Sequence, residues 1–483
     1  MSCREVERRI LRLLHDRKSR TQLTQIHAHF LRHHLHQSNQ ILAHFISVCG
    51  SFDKMAYANL VFRQTHYPDI ILFNSMIKGH SLCGPFDESL HLFSVMKNRW
   101  IWPNEFTFAP LLKSCTNLVD VKTGQGVHAE ILRLGFERFG SIRIGIVELY
   151  TRCARMDDAM KVFDSMPQRD VIVWNLMIRG FCKMGDVGMG FRLFRQMSER
   201  SIVSWNSMIS GLEKNGRDVE ALELFHEMRD SEFEPDEATV VTVLPVCARL
   251  GAVDAGQWIH SYTESRGLYR DVISVGNALV DFYCKCGVLE TAFMVFKGMP
   301  LRNVVSWNAM ISGFSFNGKG EDGVNLFEEM ISKGVNPNDS TFVGVLTCCA
   351  HGGLVQRGKD LFASMISNHQ IKPKLEHYGC MVDLLGRSGC VKEAHHLICT
   401  MPMKPNAALW GSLLSACRTH GDMELVECAV KELIKLEPWN SGNYVLLSNI
   451  YAERGKWDEV EKVRVLMREN RVDKSPGQSM VGN

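Results

Sequence analysis

Apolar residues recur along this chain with the spacing of an amphipathic α-helix. In Glu-Ala-Leu-Glu-Leu-Phe-His-Glu-Met at 220–228, the small or apolar residues fall at i, i+3, i+4 and i+7. Residues with this spacing share one face of a helix. The pattern returns at 88–96 and at 322–330. We therefore predict several helices that each carry one apolar stripe.

A second phrase, hydrophobic-x-Trp-Asn-x-Met-Ile-x-Gly, precedes most copies of this helix. It ends at Gly180, Gly211 and Gly313, and a copy with Phe in place of Trp ends at Gly79. Glycine-rich turns separate the two phrases, and a proline ends many of the units. The tryptophans of successive copies are 31 and 102 residues apart, and 102 divides into steps of 35, 36 and 31. Such a period predicts a tandem array of helix–turn–helix repeats.

One helical hairpin is too small to bury its own apolar stripe, whereas stacked copies bury the stripes of their neighbours. The predicted fold class is therefore all-α, as a right-handed α-solenoid. The Met, Phe and Trp residues of the two phrases are predicted to form most of its core.

Composition limits how such an array could bind a partner. The chain has 483 residues, 45% of them hydrophobic and 22% charged, and a formal net charge of +2. A protein that holds nucleic acid mainly by neutralising phosphates is far more basic. If the chain binds RNA, contacts to the bases must supply much of the selectivity. The 16 cysteines are scattered, mostly in apolar runs, which indicates buried free thiols in a reducing compartment.

Both phrases, together with the C-terminal motifs, resemble the plant pentatricopeptide repeat family, in its subclass with standard, long and short repeats. Standard units match at 70–104, 202–236 and 304–338. Longer units match at 105–139, 237–272 and 339–374, and shorter units at 140–170, 171–201 and 273–303. Residues 376–389 are similar to the family's last short repeat, and the stretches beginning at Leu409 and Asn443 are similar to its two extension motifs.

The resemblance implies four regions and an E-type protein without the deaminase domain of some relatives. Residues 1–35 form an N-terminal region with a decayed first repeat, and 36–406 form the repeat array. Residues 407–440 correspond to the first extension motif, and 441–483 to the second with the C-terminal tail. Two interpretations of the basic, amphipathic N-terminus stay open: an organelle presequence, or the first helix of the array.

In this family each repeat reads one base through its fifth and last residues, while the second residues of neighbouring repeats sandwich the base. The implied pairs are Asn74 with Asn104, Asn175 with Ser201, Asn206 with Asp236, Asn277 with Asn303, and Asn308 with Asn338. The implied sandwiching residues are Ile71, Ile172, Val203 and Val305. By the family's code, Asn at the fifth position favours pyrimidines. The expected target is therefore pyrimidine-rich single-stranded RNA.

Some units depart from this pattern. Ser274 stands at the second position of its unit, which weakens stacking there. The unit near 140 has Ile144 or Gly145 at the fifth position, depending on the alignment. The pairs Gln40 with Asp69 and Gly379 with Asn406 also differ. There is also a general alternative for each asparagine, because Asn is a favoured N-cap and could recur for that reason alone.

Nothing in the sequence indicates catalysis. A deaminase of the kind found in some relatives needs His-x-Glu and Cys-x-x-Cys to hold zinc. His128-Ala-Glu130 fits the first half, but Cys284-Lys-Cys286 is one residue too short for the second. Phosphate-binding loops, dinucleotide fingerprints and nucleophile elbows are missing. We predict no enzyme activity, metal site, cofactor or small-molecule substrate, and no membrane span, since no run of 18 apolar residues occurs.

The function that the resemblance implies is site recognition on organellar RNA. We expect a C-to-U editing factor of mitochondria, or alternatively of chloroplasts, that recruits a deaminase-bearing partner through its C-terminal extension. Organellar RNA splicing, processing or stabilisation stays open. A rival of another class is a protein-binding α-solenoid scaffold like the tetratricopeptide repeats, although the uneven repeat lengths argue against it.

Overall fold

The computed structural model describes residues 21–33, 35–231, 233–470 and 472. The two interpretations of the N-terminus concern residues that lie mostly outside this range, as does most of the tail after 470. Throughout the described ranges the regular secondary structure is helical and contains no strand. The all-α prediction is therefore confirmed.

The chain divides between Glu234 and Pro235 into two compact units. The helices of unit 1 are α1 (Thr21–Arg32), α2 (Asn39–Ser51), α3 (Met55–Arg63), α4 (Ile70–Cys83), α5 (Phe86–Asn98), α6 (Glu105–Leu118), α7 (Val121–Leu134), α8 (Gly140–Arg152), α9 (Met156–Asp164), α10 (Val171–Lys183), α11 (Val187–Gln196), α12 (Ile202–Lys214) and α13 (Asp218–Asp230), with a 3₁₀ turn at Phe136–Arg138.

The helices of unit 2 are α14 (Glu237–Leu250), α15 (Val253–Ser265), α16 (Leu268–Asp271), α17 (Ile273–Lys285), α18 (Leu289–Gly298), α19 (Val304–Phe316), α20 (Gly320–Ser332), α21 (Asp339–Gly352), α22 (Val355–Ser367), α23 (Leu375–Arg387), α24 (Val391–Thr400), α25 (Ala407–His420), α26 (Met423–Leu436), α27 (Ser441–Glu453) and α28 (Trp457–Glu469).

In each repeat between 70 and 374, the first helix begins at the first residue that the sequence predicts for that repeat. Within a repeat the two helices pack against each other, and each first helix also packs on the first helix of the next repeat. In unit 1 this row comprises α2, α4, α6, α8, α10 and α12; in unit 2 it comprises α14, α17, α19, α21, α23 and α25. Each unit is thus a stack of hairpins, which confirms the predicted solenoid of helix–turn–helix repeats.

The tryptophans of the repeated phrase join one hairpin to the next. Trp205 and Trp307 are almost fully buried. The ring of Trp205 packs edge-to-face on Phe194 of the preceding repeat, with ring centroids 5.0 Å apart, and Trp307 packs on Phe296 in the same way. Such aromatic pairs add to the energy of burial. The predicted core role of the phrase is confirmed at both positions.

The glycine that ends the phrase allows the first helices to approach closely. A Cβ atom on Gly211 would lie 2.5 Å from the sulfur of Cys182, and one on Gly313 would lie 2.1 Å from the sulfur of Cys284. The described cysteines are free thiols, many of them buried. Burial raises the pKa of the Cys284 thiol to about 12. It is therefore protonated and serves as packing.

Candidate nucleic-acid interface

The second residue of four first helices is apolar and yet turned towards solvent. Exposure is 54% for Ile71 on α4, 53% for Ile172 on α10, 51% for Val203 on α12 and 57% for Val305 on α19. Their neighbours in the phrase, such as Trp205, are buried, so these side chains are not part of the core. They lie along the row of first helices in each unit, where the family resemblance places the sandwiching residues.

The fifth residue of each repeat lies three residues further along the same helix. Side chains with this spacing are neighbours on the helix surface. Asn74, Asn175, Asn206, Asn277 and Asn308 therefore stand beside the second positions of their repeats, inside the helix and not at its end. The N-cap alternative is excluded for these five residues by their position.

The last residue of each repeat is the N-cap of the next first helix. This holds for Asn104, Ser201, Asp236, Asn303 and Asn338, each with a capping box to the third residue of that helix. In a capping box the two residues satisfy each other's free backbone N–H groups. The N-cap interpretation is thus right for the last residues.

The structure brings two of the predicted pairs into direct contact. Asn74 Nδ2 donates to Asn104 Oδ1 over 2.9 Å, and Thr107 Oγ1 donates to Asn74 Oδ1 over 2.7 Å. Asn308 Nδ2 donates to Asn338 Oδ1 over 3.1 Å, and Thr341 Oγ1 to Asn308 Oδ1 over 2.6 Å. The same three-residue geometry is therefore seen in both compact units, at Asn74 in unit 1 and at Asn308 in unit 2.

Two further pairs, those of Asn175 and Asn277, differ from this geometry. Asn175 and Asn277 both have a buried side-chain oxygen without a hydrogen-bond partner in the described part of the chain. Their last residues, Ser201 and Asn303, bond instead within their own capping boxes. Asn206 and Asp236 belong to different units; in its own unit, Asp236 caps α14 by accepting the Thr239 backbone N–H over 2.9 Å.

A cleft of about 530 Å³ opens at the first of these pairs. Its lining includes Ile71, Asn74, Asn104 and Phe106. The Phe106 side chain is 67% exposed and occupies the second position of the unit 105–139. Phe106 is not among the residues predicted from the sequence, because sandwiching residues were assigned only to repeats with Asn at the fifth position. Counting to the second residue of every unit would have found it.

The charges at this cleft nearly balance. Lys78 and Glu105 both line it. Lys113 of α6 forms an ion pair with Glu148 of α8 at 3.0 Å. An exposed pair of this kind contributes little to stability and also moderates the local positive potential. The cleft therefore offers amide and apolar groups more than phosphate-binding charge, as the near-neutral composition predicts.

At the second position of the unit 273–303, Ser274 donates a hydrogen bond to the carboxylate of Glu237. A hydroxyl engaged in this way provides neither the apolar area nor the shape of Ile or Val. Weak stacking of a base at this repeat stays a prediction.

His128 and Glu130, the deaminase-like residues of the sequence, have structural partners. His128 Nδ1 lies 2.9 Å from the hydroxyl of Tyr150, and burial lowers the pKa of the imidazole. Glu130 forms ion pairs with Lys97 and Arg133. Among the described residues no group of three His, Cys, Asp or Glu side chains is arranged to hold a metal ion.

The C-terminal helices α25 to α28 continue the stack, and their buried Trp410, Tyr444 and Tyr451 belong to a core that also includes Tyr378 of α23. Glu427 of α26 accepts hydrogen bonds from the Tyr451 hydroxyl at 2.8 Å and from Lys431 at 2.7 Å. The hydrogen bond from Lys431 is the main reason that the pKa of Glu427 is lowered. Trp439 and Trp457, by contrast, are exposed. None of the described helices is long and apolar enough to cross a bilayer.

Profiles of known families match most of the repeats and the C-terminal region. A PPR repeat family profile matches residues 169–202, 200–249 and 302–351. A PPR repeat profile matches 71–101, 146–171, 277–304 and 376–404. An E motif profile matches 420–482.

Relatives along the whole chain are pentatricopeptide repeat-containing proteins of Arabidopsis thaliana. One is 62% identical over 478 residues, covering 99% of each chain. Another, named as chloroplastic, is 34% identical, and the match covers 98% of this chain and 78% of that protein. A third, named as mitochondrial, is 36% identical, and the match covers 93% of this chain and 65% of that protein.

Among solved structures, the pentatricopeptide repeat protein PPR10 in complex with an 18-nucleotide psaJ RNA element is similar to this chain with a TM-score of 0.55. The sequences are 16% identical, and the match covers 94% of this chain and 73% of that one. A likeness at this identity shows a shared fold.

Proposed function

This chain belongs to the pentatricopeptide repeat family, and we propose that it binds single-stranded RNA sequence-specifically, one base per repeat. The observation that carries the proposal is the arrangement at the cleft. Asn74 is held against the cap of the next repeat, with Ile71 and Phe106 exposed in the same cleft. An amide that hydrogen-bonds a base edge, between two apolar surfaces that cover its faces, is a base-reading site.

The pentatricopeptide repeat relatives and the solved complex support the proposal. PPR10 is described with an RNA element, and the chain shares its fold. We propose a pyrimidine-rich target, because all five base-reading pairs have Asn at the fifth position. The units with Ile144 or Gly145, and Gly379, at that position would read poorly.

A single substitution tests the proposed register of reading. Changing Asn206 to Thr is expected to move the preference of one base from pyrimidine towards guanine, while its neighbours stay unchanged. Binding to randomised RNA followed by sequencing would measure this shift. An unchanged motif would show that the register is wrong, and absence of any motif in the wild type would contradict sequence-specific binding.

At a finer level we propose a site-recognition factor for C-to-U editing that recruits a deaminase-bearing partner through residues 407–474. The support is the E motif at 420–482, which coincides with the stack α26 to α28. The exposed Trp439 and Trp457 offer apolar contact area on this segment. Such aromatic residues are enriched at protein–protein interfaces. The division at 407 and 441 stays a prediction, although α25 and α27 begin at these residues.

The compartment follows from the relatives only in part. Both a mitochondrial and a chloroplastic protein are among them. We propose an organelle, with the mitochondrion as the first candidate and the chloroplast as the alternative.

Loss of the gene tests the editing role directly. We expect at least one organellar cytidine to remain unedited in a knockout plant, as measured by sequencing organellar transcripts. Full editing at every site, together with a splicing or transcript-stability defect, would instead favour a processing or stability role. A stable peptide partner and no RNA recovered after crosslinking would favour the scaffold alternative.

A further inference from the structure

Four of the reading asparagines, namely Asn74, Asn175, Asn277 and Asn308, fall into two structural states, and the state correlates with one neighbouring residue. That residue is the third of the following unit, which closes the capping box. It is Thr107 after Asn74 and Thr341 after Asn308, whereas it is Ser204 after Asn175 and Ser306 after Asn277. Threonine is thus found where the reading amide is engaged, and serine where it is not.

In the repeats whose following repeat has threonine at its third position, both the oxygen and the nitrogen of the reading amide are hydrogen-bonded. Thr341 Oγ1 lies 2.6 Å from Asn308 Oδ1 and 3.0 Å from Asn338 Oδ1. A hydroxyl has one hydrogen, and the shorter contact indicates that Asn308 receives it. Asn308 Nδ2 uses one of its hydrogens on Asn338 Oδ1. The second N–H of Asn308 is then the group left for a base.

In the serine units the carbonyl of the reading residue has no such partner. Ser306 Oγ donates to Asn303 Oδ1 over 3.1 Å, within its own cap. Asn277 Oδ1 is buried and unpaired within the described ranges, as is Asn175 Oδ1. A buried unpaired carbonyl is unfavourable, and a half-turn about the Cβ–Cγ bond would exchange the amide oxygen and nitrogen.

The chemistry of the two residues accounts for the difference. Threonine is branched at Cβ, so its χ1 angle is more restricted than that of serine. Serine has no methyl group and its hydroxyl can turn to the nearer cap residue. The cap itself is closed in both cases, so the effect concerns the reading residue and not the helix start.

We propose that the third residue of each following unit is a positioning residue that decides which hydrogen-bonding group the reading asparagine presents. With threonine, the carbonyl is held inward and only an N–H donor faces the base. With serine, the amide can turn and accept a hydrogen bond from the base, for example from the 4-amino group of cytosine. This inference rests on the proposed RNA-reading function and adds a selectivity determinant to it.

Two consecutive repeats within unit 2 allow a direct test. The units 273–303 and 304–338 contain Asn277 and Asn308, so they read neighbouring bases. The motif bound by the full chain is first determined from a randomised single-stranded RNA pool. Oligonucleotides are then made with cytidine, or with its analogue that lacks the 4-amino group, at each of the two positions.

For the wild type, the analogue is expected to weaken binding about three- to tenfold at the base read by Asn277, because one hydrogen bond is lost. It should have little effect at the base read by Asn308. Ser306→Thr is expected to abolish the first effect. Two substitutions are expected to make the analogue weaken binding at the base read by Asn308. They are Thr341→Ser and Thr341→Val, and the latter removes the hydroxyl at nearly the same volume.

Thr263→Ser is the matched control, since it removes the same methyl group from α15, a second helix away from the capping boxes. Its response to the analogue should equal that of the wild type. If the wild type selects a motif but the substitutions leave the analogue's effect unchanged at both bases, the positioning role is wrong. If no motif is selected at all, the proposed function itself fails.

Discussion

Replacing Phe106 with Ala is expected to weaken RNA binding strongly while leaving the fold intact. The side chain is 67% exposed at the cleft next to Ile71 and Asn74, so little core packing is lost. Stacking of one base on an aromatic ring contributes about 1–3 kcal/mol, which corresponds to roughly a five- to 150-fold change in affinity. Fluorescence anisotropy with the selected RNA would measure it.

Phe316 provides a matched control, because it is also an exposed phenylalanine, at 65%, but it lies at the end of α19 and not at a second position. Phe316→Ala should bind RNA like the wild type. Both variants should keep the thermal unfolding midpoint of the parent. Equal losses of affinity in the two variants would argue against a sandwich at Phe106.

Replacing Gly320 with Ala is expected to destabilise unit 2 more than other single-methyl additions. A Cβ atom at this first residue of α20 would lie 2.3 Å from the carbonyl oxygen of Cys348 and 3.0 Å from the backbone nitrogen of Gly352. The contacted atoms are backbone at the end of α21, so a side-chain rotation cannot relieve the clash. Overpacking of this kind costs about 1–3 kcal/mol, and a backbone clash belongs at the upper end.

The control is Gly411→Ala in α25, where an added Cβ meets nothing within 4 Å. There the change should stabilise the helix by about 0.5–1 kcal/mol, because alanine has less backbone freedom to lose. Urea unfolding followed by circular dichroism would measure both free energies. If Gly320→Ala proved as stable as the wild type, the close packing of α20 on α21 would be wrong.

Much of the interface could be predicted from single positions in the repeat. The second residues, such as Val305, and the fifth residues, such as Asn308, were assigned by counting from the start of each phrase, and the structure places them side by side on one helix. The count succeeds because residues three apart in one helix are always neighbours. Phe106 was missed for a reason of assignment, since its unit has Ala109 at the fifth position.

Other features depended on contacts between repeats. Asn74 and Asn104 are 30 residues apart, and Thr107 is 33 residues from Asn74. Whether such side chains meet depends on how closely one first helix packs on the next. The repeats with Asn175 and Asn277 also have Asn at the fifth position, yet their amide oxygens are unpaired among the described residues. The Asn alone does not distinguish the two states, and the Thr or Ser that goes with each state stands about 30 residues further along the chain.

The amino-acid sequence by itself determined the helices, the repeat boundaries and the class of fold, because apolar periodicity, caps and turns act within a few residues along the chain. The family resemblance of the sequence implied the second positions as sandwiching residues, and the helix period places them beside the fifth positions. Only the tertiary structure decided which of the fifth-position asparagines are held by a hydroxyl and which are not, and where a cleft opens beside Phe106. These features require hairpins 30 or more residues apart to come together, and the distances between them are set by buried residues such as Trp307, Gly313 and Cys284.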